Sequence, residues 1–220
     1  MISPERLDLM QSGWVRLLAR WSVTPADAYP VFDRLVAAHS ESHRFYHTLE
    51  HLAEMFKVAG KLADASDDMA AVQLAIWFHD SVYDPRATDN EERSAALAGD
   101  LLRPLGIPGD TLAHVAAMIR ATAHATTGDV DADTAVLLDA DLAILSAEER
   151  RYARYAADVR REYAWVADAA YRAGRTKVLE GFLARPRIYR TGRMRAVAEE
   201  SARANLRAEI ERLKPAEPEA

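Results

Sequence analysis

The chain has 220 residues, half of them apolar, and a formal net charge of −6, so a sizeable core is affordable. It contains no cysteine, which excludes disulfide frameworks and thiolate metal sites and leaves His, Asp and Glu as the ligands for any metal. No apolar run approaches the roughly 18 residues that span a bilayer. The opening MISPERLDLMQSGWVRLLARW sets acids and arginines among its apolar positions, so it reads as an amphipathic helix rather than a signal peptide. A cytoplasmic location without a membrane partner is expected.

Ala is abundant while Gly and β-branched residues are sparse, a balance that favours helix over sheet. Leu7, Met10, Trp14, Leu17, Leu18 and Trp21 form an apolar stripe at spacings of three and four, the mark of a first helix. A second is expected over about 27–38, and a third from about Thr48 to Leu62. Asp67 or Asp68 suits the N-cap of a fourth helix through Leu74, Ile76, Trp77 and Phe78 to the pair His79–Asp80. After the polar loop SVYDPRATDNEE, Asp89 followed by Glu92 resembles a capping box. Further helices are expected at about 109–124, 131–145 and 147–172, with Ser146 and Glu149 as a second capping box and Gly174 ending the long helix. Two more follow near 176–184 and 193–213, and residues 214–220 read as a disordered tail. The reading is all-α: one domain over 1–213, with no strand and no internal repeat.

Charge is unevenly distributed. Residues 150–195 hold 13 Lys or Arg against 4 Asp or Glu, whereas the rest of the chain holds 15 against 30. A basic segment beside an acidic body suits a phosphate-bearing ligand. Within it, Arg175 and Lys177 follow Gly174, and Arg187 and Arg190 flank Tyr189; Arg suits bidentate phosphate contacts and Lys point-charge contacts. Arg175, Lys177, Tyr189 and Arg190 are therefore the candidate substrate-binding residues.

Three of the seven histidines lie in HRFYHTLEHL, residues 43–52, and with His39 four fall at a constant spacing of four. His39 and His43 sit in the polar stretch HSESH and read as ordinary surface. His47 and His51 are one turn apart near a helix start and can share a face. His79–Asp80 ends the apolar run LAIWFHD, where a charged Asp is costly to bury unless a cation compensates it. In LLDADLAIL, Asp139 and Asp141 diverge by about 200° on a helix. Asp141 shares its face with Leu137, Leu138, Ile144 and Leu145, so it is the better ligand candidate, with Asp139 behind it.

The ordered set His51, His79–Asp80 and Asp141 resembles the HD superfamily of metal-dependent phosphohydrolases. FYHTLEH is similar to a YHNxxH element with Thr48 in place of Asn, FHDSVYDP to an HDxxED stretch with Tyr83 in place of Glu, and LLDADLAIL to a closing aspartate motif. AIWFHDSVYDP, DNEERSA and the later GRTKVLEGFLARPRIY together resemble a group of bacterial predicted HD phosphohydrolases. The resemblance spans about residues 43–210 and implies an HD-type helical bundle. It also implies His51, His79, Asp80 and Asp141 as metal ligands, His47 as a general acid, and Asp84 beside the attacking water.

Two imidazoles with two carboxylates suit Mn, Fe, Ni or Zn, and Mg less well. Such an ion lowers the pKa of a bound water from about 16 towards roughly 7. His124 in ATAHATTGD, and less so His114, are candidates for a second metal or a phosphate, as is Asp139. The expectation is a divalent-metal phosphohydrolase acting on a small phosphorylated substrate, with a nucleotide first; nucleic acid is not an expected partner, and a homodimer is the one assembly considered. Three rivals stand beside it. HTLEH also fits the HxxEH zinc-protease pattern with Glu50 as base. The others are a non-catalytic module binding nucleotide or RNA, and a diiron oxygenase needing an extra ligand such as His124.

Overall fold

The computed structural model describes residues 2–123 and 128–214. The described residues form ten α-helices joined by loops and short 3-10 turns, and no strand occurs among them. The all-α expectation is met. Packing groups the chain into two compact units, the first ending at Asp141 and the second starting at Leu142. No Gly-, Pro- or Ser-rich linker marks that division in LLDADLAIL, so nothing in the composition announces it.

The first unit contains α1 (Pro4–Leu18), α2 (Pro25–Ala38), α3 (Leu49–Lys61), α4 (Met69–Phe78), α5 (Asn90–Leu102), α6 (Gly109–Ala121) and α7 (Ala132–Asp141). Helix α4, MAAVQLAIWF, carries no charge and buries Ala70, Ala71, Val72, Leu74, Ala75, Ile76, Trp77 and Phe78. A helix apolar all round must be enclosed on all sides, and α4 packs against α3, α5, α6 and α7. Its start is held by Asp68, whose carboxylate accepts the backbone N–H groups of Ala70 and Ala71 at 3.0 and 3.2 Å. Asp133 on α7 braces the same start, accepting Ser66 Oγ and the Asp67 and Asp68 N–H groups at 2.5–2.9 Å. These bonds satisfy orphan donors at a buried helix end.

Helices α1 and α2 join this core through aromatic rings. Trp14 meets Trp77 edge-on with centroids 5.6 Å apart, and Phe32 does the same. Trp14 also donates its indole N–H to the Ala28 carbonyl at 2.9 Å, satisfying its one polar atom in a fully buried position. The first-helix stripe contributes Trp14, Leu17 and Leu18 to the core.

The second unit contains a 3-10 turn over Leu142–Ser146, then α8 (Glu149–Glu162), α9 (Asp168–Leu183) and α10 (Gly192–Leu213). The turn packs against α8 and α10, and α9 lies on α10. Asn205 donates to the Leu145 and Ala147 carbonyls at 2.9 and 2.8 Å, closing the otherwise unpaired end of the turn.

Three local expectations are corrected here. The helix expected over 147–172 breaks at Tyr163, where Arg160 reaches the Tyr163 and Val166 carbonyls at 2.7 and 3.1 Å. Gly174 does not end a helix but lies inside α9, a position glycine tolerates at a cost of about 1 kcal/mol relative to Ala. Neither capping box forms. Glu148 is the N-cap of α8 while Ser146 bonds back to Ala143, and Glu92 turns outward to Arg120.

Candidate metal centre

Residues 43–48, which lead into α3, are not helical, so the one-turn argument that paired His47 with His51 does not hold in its own terms. Helix α3 begins at Leu49 with Thr48 as its N-cap. The lead nevertheless folds back against the helix, and the His47 and His51 rings stand edge to face with centroids 5.9 Å apart. Tyr46 packs against both, with centroids 5.0 Å from His47 and 4.8 Å from His51. His51 is buried and His47 half-buried.

His79 is the C-cap of α4. Its Nδ1 lies 3.0 Å from the Ile76 carbonyl, one of the acceptors a helix C-terminus leaves unpaired. A carbonyl can only accept, so Nδ1 carries the proton and Nε2 is left to face the site. Asp80 Oδ2 is 3.0 Å from that nitrogen. Asp141 closes the group from the C-terminus of α7, with Oδ1 3.2 Å from His51 Nε2 and 3.9 Å from His79 Nε2. Three helix ends, each rigid because its helix is packed on the core, thus bring two imidazoles and two carboxylates together.

The donor set fits a divalent cation on two observations. The ligand atoms of His51, His79 and Asp141 all lie within 4.8 Å of one another, close enough that a small inward side-chain shift would bring all three to the roughly 2.0–2.2 Å one ion requires. Both imidazole Nε2 atoms are also buried and make no well-formed hydrogen bond, the neighbouring Asp80 and Asp141 carboxylate oxygens standing at ion-pair distances of 3.0 and 3.2 Å instead, although buried polar atoms are as a rule paired. Burial opposes charging of His79, yet the Asp80 and Asp141 carboxylates outweigh it and raise its pKa to about 9. Asp80 is correspondingly held well below the usual carboxylate range: burial works against this, and the charges of His79 and His47 prevail. The carboxylates draw positive charge to this point, and a metal ion would satisfy the same demand as a proton.

Other candidates fall elsewhere. Asp139 is wholly buried and one helical half-turn from Asp141. Asp84 is exposed; its carboxylate accepts the Arg86 N–H at 2.9 Å and its backbone is bonded to the Asn90 amide. It orders the loop after α4, and the role of positioning water is not one its contacts support. Glu50 of HTLEH is ion-paired with Arg6 on α1, and His47 lies in the non-helical lead rather than on α3, so HTLEH is not the helical turn on which the zinc-protease pattern presents both histidines. His124 lies outside the described residues.

His114 does gather with Asp131 and Asp133, but these donors are already engaged. Asp133 holds the start of α4 and meets His114 Nε2 at 3.0 Å, and Asp131 caps α7 by accepting the Thr134 N–H and hydroxyl at 2.8 and 2.7 Å. This group reads as a structural brace.

Two of the four candidate phosphate contacts are corrected. Arg175 is mostly buried and bidentate to Glu209, with Nε–Oε1 2.8 Å and Nη2–Oε2 3.1 Å, and also donates to Tyr155 Oη. Tyr152 donates to the same carboxylate at 2.5 Å. Tyr189 is fully buried with its hydroxyl on the Leu142 carbonyl. Both serve the core of the second unit, because a buried Arg or Tyr must spend its donors on internal acceptors. Lys177 is exposed, and the Arg190 carbonyl accepts from Arg195 at 2.6 Å.

Two residues near the metal centre were passed over in the sequence. His39 reads as surface but is buried at the end of α2, its Nδ1 3.0 Å from the Leu35 carbonyl; burial and then the Arg44 charge lower its pKa to about 3. Arg44 itself has a wholly buried side chain. Its signal in the sequence is slight: one arginine in the polar stretch HSESHRFYH, with Glu41 three residues before it as an ordinary surface partner would be. Compared with protein-family models, curated proteins and solved structures, the chain finds no match in any of the three.

Proposed function

We propose that the chain is a metal-dependent phosphohydrolase of the HD type acting on a small phosphorylated compound, with nucleotides as the first substrates to test. The observation that carries the metal half of this reading is the pair of buried Nε2 atoms of His51 and His79 gathered with the Asp141 carboxylate. The phosphohydrolase half rests on the order of the motifs in the chain and on His47.

His51, His79 and Asp141, with Asp80 against His79, would hold the ion. When bound, a divalent cation supplies a Lewis acid that activates water near neutral pH and offsets charge at a phosphoryl group. His47 is the more accessible of the paired imidazoles, and its charge is felt by Asp80. As an imidazolium it would give its N–H proton to the leaving oxygen as water oxygen bonds to phosphorus and the ester P–O bond breaks. Tyr83 packs on His47 with centroids 4.3 Å apart and would hold that ring in orientation.

The test loads the purified chain with Mn, Ni or Fe and measures phosphate release from a nucleotide panel. Release that His47→Gln reduces while metal content persists supports the reading. No release with any of these metals, together with unchanged metal content in Asp80→Ala, sinks it.

A further inference from the structure

The segment that carries His47 and the turn that carries His79–Asp80 come from different parts of the chain, 32 residues apart between the two histidines. Beside the His43 bond to the Tyr83 carbonyl at 2.9 Å and the packing of Tyr83 on His47, Arg44 joins them from the buried side. The Arg44 guanidinium donates through Nη1 to the Asp80 carbonyl at 2.7 Å and to the His47 carbonyl at 3.3 Å. Its Nε is fixed by Glu41 at 2.9 Å, and its plane lies over the Tyr83 ring with Cζ 5.3 Å from the centroid.

This is an expensive placement. The guanidinium is fully buried, and a buried cation needs compensation. The one carboxylate bonded to it, Glu41, is itself about half exposed, and the buried Nη2 has no hydrogen-bond partner among the described residues. If helix packing alone mattered, an apolar side chain would fill the space at lower cost. What a guanidinium adds is a rigid, planar set of donors that fixes two backbone carbonyls and a ring at once, which the single ammonium of lysine does not match.

We infer that Arg44 is a positioning residue for the metal centre: by tying the His47 and Asp80 carbonyls together it sets the distance between the α3 lead and the His79–Asp80 turn. The inference rests on the metal-centre reading above. Groups that orient metal ligands from behind typically change metal affinity 10–100-fold when lost.

The experiment titrates Co2+ into metal-stripped full-length wild type, Arg44→Lys and Arg44→Met, with Arg6→Lys as a surface control. Helical circular dichroism reports folding, and the visible Co2+ spectrum reports coordination geometry. The expected result is wild-type helicity, a 10–100-fold weaker Co2+ affinity and an altered spectrum in both Arg44 variants, with Arg6→Lys unchanged. Should Arg44→Met fail to fold, Arg44→Lys decides. Folded Arg44 variants that bind Co2+ within threefold of wild type with the same spectrum overturn the inference while leaving the metal centre intact. A wild-type chain that binds no Co2+ overturns both, and that result is distinct from the first.

Discussion

Replacing Glu209 with Ala isolates the question of what Arg175 is for. The two side chains are about 10% and 6% exposed, so the pair lies in the low-dielectric interior of the second unit. The substitution removes two bonds from Arg175, at 2.8 and 3.1 Å, and one from Tyr152, at 2.5 Å. It leaves a buried guanidinium with only the Tyr155 hydroxyl and the face of its ring, 5.2 Å from Cζ. Breaking a buried pair on one side costs about 3–5 kcal/mol. With a urea slope of about 2–3 kcal/mol/M, the unfolding midpoint should fall by roughly 1–2.5 M. Arg175→Met combined with Glu209→Leu removes both charges and should recover most of that loss, because an apolar pair of similar volume needs no compensation. Urea titrations followed by circular dichroism measure all three chains. A midpoint shift in Glu209→Ala worth less than about 1 kcal/mol would refute the structural role of this pair and return Arg175 to the candidates for phosphate contact.

Three further outcomes follow from the same contacts. Asp133→Ala strips Ser66, two backbone N–H groups and His114 of their shared acceptor and should cost about 2–4 kcal/mol in urea unfolding; it should keep metal binding at His51, His79 and Asp141, and loss of that binding at unchanged stability would move the metal to the His114 group. His39 has its pKa lowered by burial from the ordinary 6.5 to about 3, so the unfolded chain takes up the proton first as pH falls: the contribution to stability is full above pH 6.5 and is lost on the way down to pH 3. Between pH 7 and pH 5 the metal-stripped wild type should lose about 2 kcal/mol more stability than His39→Asn, and equal slopes would contradict the burial argument. Glu50→Gln breaks a partly exposed ion pair with Arg6, so stability should change by less than about 1 kcal/mol, with metal content and phosphate release unaffected; cleavage of a peptide substrate by the wild type that Glu50→Gln abolishes would revive the protease pattern.

How much of this was legible in the sequence differs between fold and site. Helix positions followed from the spacing of apolar residues, and α4 in particular was readable because an uncharged decapeptide capped by Asp68 has one good conformation. Helix ends were less legible. The break at Tyr163 depends on Arg160 reaching forward to two carbonyls, an interaction between a side chain and backbone that no periodicity encodes. At the site, His51, His79 and Asp141 were legible because helix ends carry them towards one another and their residue types are unusual in apolar runs. Arg44 and His39 were not, since both sit in a polar stretch and their burial comes from tertiary contacts, such as those of Arg44 with the Asp80 and His47 carbonyls. The basic segment misled for a related reason: the sequence shows how many arginines lie between 150 and 195, but not that Arg175 faces Glu209, 34 positions later.

The most direct test of the metal centre is the metal content of the purified chain after loading with Mn, Ni or Fe and removal of free ion, measured for wild type, His79→Ala and Asp141→Ala with folding checked by circular dichroism. One ion per chain in the wild type, and its loss from both folded variants, is the result this arrangement of His51, His79 and Asp141 predicts. Metal content in the two variants equal to that of the wild type would contradict it.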